Sequence, residues 1–194
     1  MDFITDEITA QTMSELEKTQ KEFWNIPRKT GVLINMMIKM MKAQSVLEIG
    51  TSNGYSAIWL ALALKETKGH LTTIEFWDKR QSVAIENFKA CGLYDVIEPR
   101  LGPAFAVLDN IANEIKESKR SLFDFVFIDA NKKEYIDYFK QIDPILNNEG
   151  LILADNMLSH KEKVQPFYDE IMNNKKYKSV LLPVGTGILM AVKN

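Results

Sequence analysis

From Ser45 onward the chain keeps a regular beat, and that beat restricts the fold more than any single motif. Short apolar runs at Val46–Ile49, Leu71–Glu75, Val96–Leu101, Phe123–Asp129 and Leu151–Asp155 alternate with helical patterns near 54–65, 78–91, 104–118, 132–146 and 161–174. Strands alternating with helices of this length join by right-handed crossovers, giving a parallel sheet covered on both faces. Pro99 has no amide proton for a ladder, which puts the third strand at an edge. Tyr177–Pro183 and Gly187–Val192 are linked through Val184-Gly185-Thr186-Gly187 with no room for a helix, so they form an antiparallel hairpin. The expected architecture is a Rossmann-like, doubly wound α/β domain with a mainly parallel seven-stranded sheet and a C-terminal antiparallel hairpin.

Ahead of the sheet, residues 3–23 set Ile4, Ile8, Leu16 and Phe23 among charges, a loose stripe expected of an outer helix. Pro27 and Gly31 break that pattern, and Val32–Met41 follows as a dense apolar helix suited to core packing or a subunit contact. The whole of 1–194 reads as one domain, with residues 1–44 covering the ligand side of the sheet or meeting a second copy in a homodimer. A chain of 194 residues with 46% hydrophobic and 26% charged residues matches an ordinary globular domain. Its net charge of −2 gives no global basic surplus for nucleic acid. The single cysteine, Cys91, excludes an intrachain disulfide and is expected to be buried and inert. The acidic start lacks the apolar core of a leader, and no apolar run reaches the ~20 residues of a membrane span. The expected setting is the cytoplasm, away from membranes.

Polar residues gather where the strands end. Gly50-Thr51-Ser52-Asn53-Gly54 follows the first, Glu75 closes the second, Gly102-Pro103-Ala104 follows the third, Asp129 closes the fourth, and Asp155-Asn156 closes the fifth. In a doubly wound sheet these lie along one rim, where ligands bind. Glu75 is placed to accept hydrogen bonds from a ribose diol. The first turn has G-x-x-x-G spacing, with Ser52 where a dinucleotide fingerprint needs its second glycine and no lysine after Gly54 for a P-loop. A nucleoside without phosphates suits it better, and S-adenosylmethionine is the common cofactor of that kind.

Asp129, Asp155 and Asn156 offer hard oxygen donors from two adjacent strand ends. That set suits an octahedral cation, Mg²⁺ first, with Mn²⁺ or Ca²⁺ as alternatives, completed by water and substrate. No group of cysteines and histidines offers a zinc site. Lys132 stands three positions beyond Asp129 and can reach the same place. Taken singly, these residues read as helix caps and a solvated lysine; together, beside a nucleoside pocket, they point to chemistry.

The motifs E-I-G-T-S-N-G-Y-S, Gly102-Pro103-Ala104, F-D-F-V-F-I-D-A-N-K-K-E-Y, G-L-I-L-A-D-N and L-P-V-G-T-G-I resemble the cation-dependent O-methyltransferases, the family of caffeoyl-CoA and catechol O-methyltransferases. The resemblance runs in order from about Pro27 to the C-terminus. It implies S-adenosylmethionine contacts from Glu48, Gly50, Thr51, Ser52, Gly54 and Ser56, and from Glu75 and Phe76. Pro103, Ala104 and Asp129 complete the implied set, with Ala104 beside the adenine. It also implies metal ligation by Asp129, Asp155 and Asn156, and a catalytic role for Lys132. The implied acceptor is a catechol-like or hydroxylated aromatic small molecule. Some bacterial relatives methylate a hydroxylated uridine in tRNA, so tRNA is a second acceptor; a cofactor-binding protein without turnover is a third reading. The sequence departs from plant relatives at Asn131, where they carry a second acid, at Leu101, where they carry glutamate, and in lacking their longer insertion after Asn156. Phe23-Trp24-Asn25 reads equally as part of an acceptor wall or as packing, and His160 lies near the rim, where it reads first as a solvated loop histidine.

Overall fold

The computed structural model describes residues 4–194. Seven strands, β1 (Ser45–Ile49), β2 (His70–Glu75), β3 (Ile97–Leu101), β4 (Phe123–Ile128), β5 (Leu146–Ala154), β6 (Tyr177–Leu182) and β7 (Ile188–Lys193), make one sheet in the order β3-β2-β1-β4-β5-β7-β6. The first five run parallel; β7 pairs antiparallel with β5, and β6 with β7. The strand order reverses beside β1, between β2 and β4, which is where such sheets bind ligands. Pro99 lies on the edge strand β3, as its missing amide proton requires.

The helices are α1 (Glu7–Lys18), α2 (Gln20–Phe23), α3 (Arg28–Met41), α4 (Tyr55–Thr67), α5 (Asp78–Ala90), α6 (Ala104–Lys116), α7 (Tyr135–Ile142) and α8 (Lys161–Asn173). Period-two alternation divides the strand side chains between two cores. Val46, Phe125 and Phe127 pack with α1, α3, α4 and α5, whereas Leu47, Val126 and Ile128 pack with α6, α7 and α8. Helix α4 is apolar nearly all round because it lies between the sheet and α3. A Cβ on Gly31 would stand 2.3 Å from the Trp59 ring, so the glycine sets how closely α3 crosses α4. Asn35 secures the crossing by donating to the Trp59 carbonyl at 2.9 Å.

Several expectations shift in detail. The buried stripe of α1 is Thr9, Met13 and Leu16, at i, i+4 and i+7, so Ile8 falls off that face and is 61% exposed. The helix expected over 132–146 contracts to α7, with 3-10 turns on either side, because Asn131 caps a tight turn and Pro144 ends the helix. Strand β5 begins at Leu146 rather than Leu151, its polar first residues extending past an irregularity in the β4 pairing. Cys91 is buried at the end of α5, and burial pushes its thiol up, as an inert cysteine requires. No helix among the described residues is long and apolar enough to cross a membrane.

Candidate active site

The β1–α4 turn is held from within. Gly50 N and Thr51 N donate to the Ile74 carbonyl at 3.0 and 3.2 Å, and Gly54 N donates to Thr51 O at 2.9 Å. Ser52 N donates to Glu75 Oε2 at 2.7 Å and Tyr55 N to Asn53 Oδ1 at 3.3 Å. With those amide protons engaged, these five residues offer no backbone donor to a pyrophosphate. The glycines serve the protein's own packing. A Cβ on Gly50 (φ +106°) would stand 2.2 Å from the Asp129 carbonyl, and one on Gly54 (φ +88°) 2.5 Å from the Phe88 ring. Ser52 takes φ +51° without being glycine, and its hydroxyl donates to the Phe23 carbonyl at 2.9 Å, tying the N-terminal segment over the turn.

Above the strand ends lies a cleft of about 980 Å³, the upper end of the range for small-ligand sites. Gly50, Thr51, Ser52 and Ser56 wall it from the first turn, Glu75 and Phe76 from the end of β2. Pro103, Ala104 and Asp129 close the far side. Two residues expected at the cofactor, Glu48 and Gly54, do not line it. Gly54 is turned into α5, as its Phe88 contact shows. Glu48 is fully buried beneath the turn, where Thr73 Oγ1 donates to its Oε2 at 2.5 Å and a 2.6 Å hydrogen bond joins Thr73 to Thr51. Burial pushes the Glu48 carboxyl up to about 8, against the hydrogen bonds from Ser56 and Thr73 that favour its ionised form.

Glu75 is buried yet accepts only from backbone, at Ser52 N and at Trp77 N (2.8 Å), so each oxygen keeps a lone pair for a ribose hydroxyl. Trp24 lines the cleft, exposed and with the Arg80 guanidinium 4.9 Å from its ring centre. Residues not singled out in the sequence complete the side next to Ala104. Phe105 lies 5.1 Å from the Tyr138 ring, and Tyr138 donates its hydroxyl to Glu134. A helical i, i+4 spacing from Glu134 to Tyr138 was the available signal.

Asp129, Asp155 and Asn156 meet at the ends of β4 and β5. Lys132 Nζ lies 3.0 Å from Asp129 Oδ1. Desolvation raises both carboxyls, Asp155 to about 6 with the Asp129 charge as the second cause, while Lys132 opposes the rise at Asp129. Asn156 sits at φ +66°, its Nδ2 donating to Ser159 Oγ at 3.3 Å and its Oδ1 buried without a partner. A buried carboxyl and a partly exposed one that repel, next to an amide oxygen with nothing to accept from, fit a hard cation. Among the described residues no third carboxylate, imidazole or thiolate joins them, so water and acceptor oxygens would fill the remaining positions. Asp129 and Asn156 reach the cleft wall; Asp155, 1% exposed, stands behind it. Ser159 Oγ lies 3.0 Å from His160 Nδ1, at the rim where the sequence put the histidine.

A doubly wound sheet with this strand order, an acid closing β2 and a cleft above the strand ends fit the class of S-adenosylmethionine-dependent methyltransferases. A family model described as O-methyltransferase matches residues 3–194, and the chain belongs to that family. Caffeoyl-CoA O-methyltransferase 1 of Eucalyptus globulus is 31% identical over 202 residues, covering 93% of this chain and 80% of the plant protein. The O-methyltransferase of Bacillus cereus, solved in complex with S-adenosylhomocysteine, superposes with a TM-score of 0.87 at 27% identity, covering 99% of this chain and 93% of that one. TomG of Streptomyces achromogenes, solved with S-adenosylmethionine, shares the fold at a TM-score of 0.83 and 24% identity. The enzyme is an S-adenosylmethionine-dependent O-methyltransferase.

Proposed function

We propose that the enzyme moves the methyl group of S-adenosylmethionine to a hydroxyl of a catechol-like or hydroxylated aromatic small molecule, and that it needs a divalent cation, Mg²⁺ first, to do so. The observation that carries this reading is the buried, unpartnered Oδ1 of Asn156 beside the Asp129 and Asp155 carboxyls. The name of the Eucalyptus relative supports the acceptor class. Asp129, Asp155 and Asn156 would hold the cation, which when bound supplies Lewis-acid chemistry that acidifies and orients vicinal hydroxyls.

The chain's own residues do the remainder. Glu75 anchors the ribose, and the wall from Pro103 to Phe105 shapes the base end, so the methyl group is held toward Asp129. Lys132, within reach through its 3.0 Å contact with Asp129, would serve as the base that takes the acceptor hydroxyl proton and passes it to water. The acceptor oxygen then forms its bond to the methyl carbon as the carbon–sulfur bond breaks, and that electron pair stays on sulfur. Positioning the two reactants is worth up to about 7–11 kcal/mol where alignment is good.

Methyl transfer measured over a panel of catechols, hydroxycinnamoyl esters and undermodified tRNA, each with Mg²⁺ and with EDTA, tests the reading. Turnover of a catechol compound that EDTA abolishes is the expected result. Equal turnover after chelation, or methylation of tRNA alone, contradicts it. Lys132→Ala should lower kcat by about 100-fold or more while leaving S-adenosylhomocysteine affinity nearly unchanged; a kcat within a few-fold of the parent removes Lys132 as the base.

A further inference from the structure

We infer that Thr186, on the β6–β7 turn, is a positioning residue that orients the Asp155 carboxylate and the Asn156 segment for the cation. The inference rests on the cation reading above and deepens it. Thr186 follows Asp155 by 31 residues, yet its hydroxyl donates to Asp155 Oδ1. Its carbonyl accepts from Leu158 N at 3.0 Å and Ser159 N at 3.1 Å, and the next carbonyl, Gly187 O, accepts from Met157 N at 3.0 Å. The hairpin turn is thereby clamped along the segment that carries both Asp155 and Asn156.

The flanking glycines make that approach possible. A Cβ on Gly187 (φ +92°) would stand 2.6 Å from Leu158 N, and one on Gly185 (φ +61°) 2.4 Å from the Thr30 hydroxyl. Between them only the residue at 186 presents a side chain to Asp155. A single hydroxyl proton on Oδ1 fixes the carboxylate rotation and leaves Oδ2 without that donor. The same clamp holds the backbone at Asn156 in its left-handed conformation, with Nδ2 on Ser159 and the buried Oδ1 free of any partner. An outer-shell group of this kind typically carries 10–100-fold of metal affinity without touching the metal.

The test is Mn²⁺ binding to the intact enzyme, read from loss of the free-ion electron paramagnetic resonance signal, for wild type, Thr186→Val and Thr186→Ser. S-adenosylhomocysteine affinity and thermal midpoint are measured on the same samples. Thr186→Val should weaken Mn²⁺ binding about 10-fold or more, and Thr186→Ser should restore it to within about threefold. Cofactor affinity should stay level in both variants. Should the valine variant fail to fold, Thr186→Ala makes the same hydroxyl deletion with less bulk. Mn²⁺ affinity that is equal without the hydroxyl, or a serine variant as weak as the valine one, overturns the inference alone. Wild-type enzyme that takes up no Mn²⁺ overturns the cation reading, and this inference with it.

Discussion

Glu48 shows how far one residue's neighbours can move its chemistry. The same E-I-G pattern that marks a cofactor turn places this carboxyl beneath the turn, out of solvent, with the Thr73 and Thr51 hydroxyls in a line leading to the cleft wall. Its carboxyl is raised from an ordinary 4.5 to about 8, so the folded protein binds the proton more tightly than the unfolded chain does. The stability this contributes is complete below about pH 4.5 and is lost as pH rises through about 8. Each unit of difference is worth about 1.4 kcal/mol, so the loss amounts to a few kcal/mol. Glu48→Gln removes the titration while keeping an oxygen for Thr73. The wild-type thermal midpoint should fall between roughly pH 4.5 and pH 8, and that of Glu48→Gln should hold nearly level. Parallel profiles would show that Glu48 does not carry the pH dependence.

Among the elements, those with a full period of pattern were legible in the sequence, and those defined by a partner were not. The parallel strands and the closing hairpin stand where alternation, Pro99 and the glycine-rich turn put them, except that β5 begins at Leu146, ahead of its apolar run. The N-terminal helices were blurred because their buried face is set by tertiary contacts. Ile8, the stronger hydrophobe, faces solvent while Thr9 and Met13 turn inward. Likewise Asp129, Asp155 and Asn156 could be gathered from strand ends, but Thr186 could not be tied to Asp155 across 31 residues of chain. The tether of α1 is also invisible in sequence. Tyr55 at the start of α4 donates to Glu17 Oε1 at 2.7 Å, and Arg28 donates to the same oxygen at 3.0 Å. Tyr55→Phe cuts the link between α4 and α1 without opening a cavity, at about 1 kcal/mol. Amide hydrogen exchange over residues 7–23 should quicken in that variant while β1 and β4 remain protected. Unchanged exchange across α1 would show that its apolar face alone holds it down.

For the whole molecule, the decisive property is that five amide protons at the first turn are used inside the protein. Gly50, Thr51, Ser52, Gly54 and Tyr55 donate to Ile74, Glu75, Thr51 and Asn53, which leaves those five amides unavailable to a diphosphate, while each Glu75 oxygen keeps a lone pair. On the proposed reading, a preference for a nucleoside without phosphates begins in how β1, β2 and α4 are joined. A ligand that binds only the folded state stabilises it by RT ln(1 + [L]/Kd), about 2.7 kcal/mol at about 100 times Kd. For a chain of this length each kcal/mol moves the thermal midpoint by about 2–4 °C. S-adenosylhomocysteine at that excess should therefore raise the midpoint by about 5–10 °C, and NADH at the same concentration should leave it in place. Adenosine should fall between them, because it keeps the ribose that Glu75 is proposed to hold and lacks the homocysteine portion. Glu75→Gln should narrow the gap between adenosine and NADH, since a neutral amide accepts the diol less strongly than a carboxylate does. A rise with NADH matching that with S-adenosylhomocysteine would show that the turn opens its amides to a pyrophosphate, and the account of selectivity would then have to move from the backbone to the side chains of the cleft.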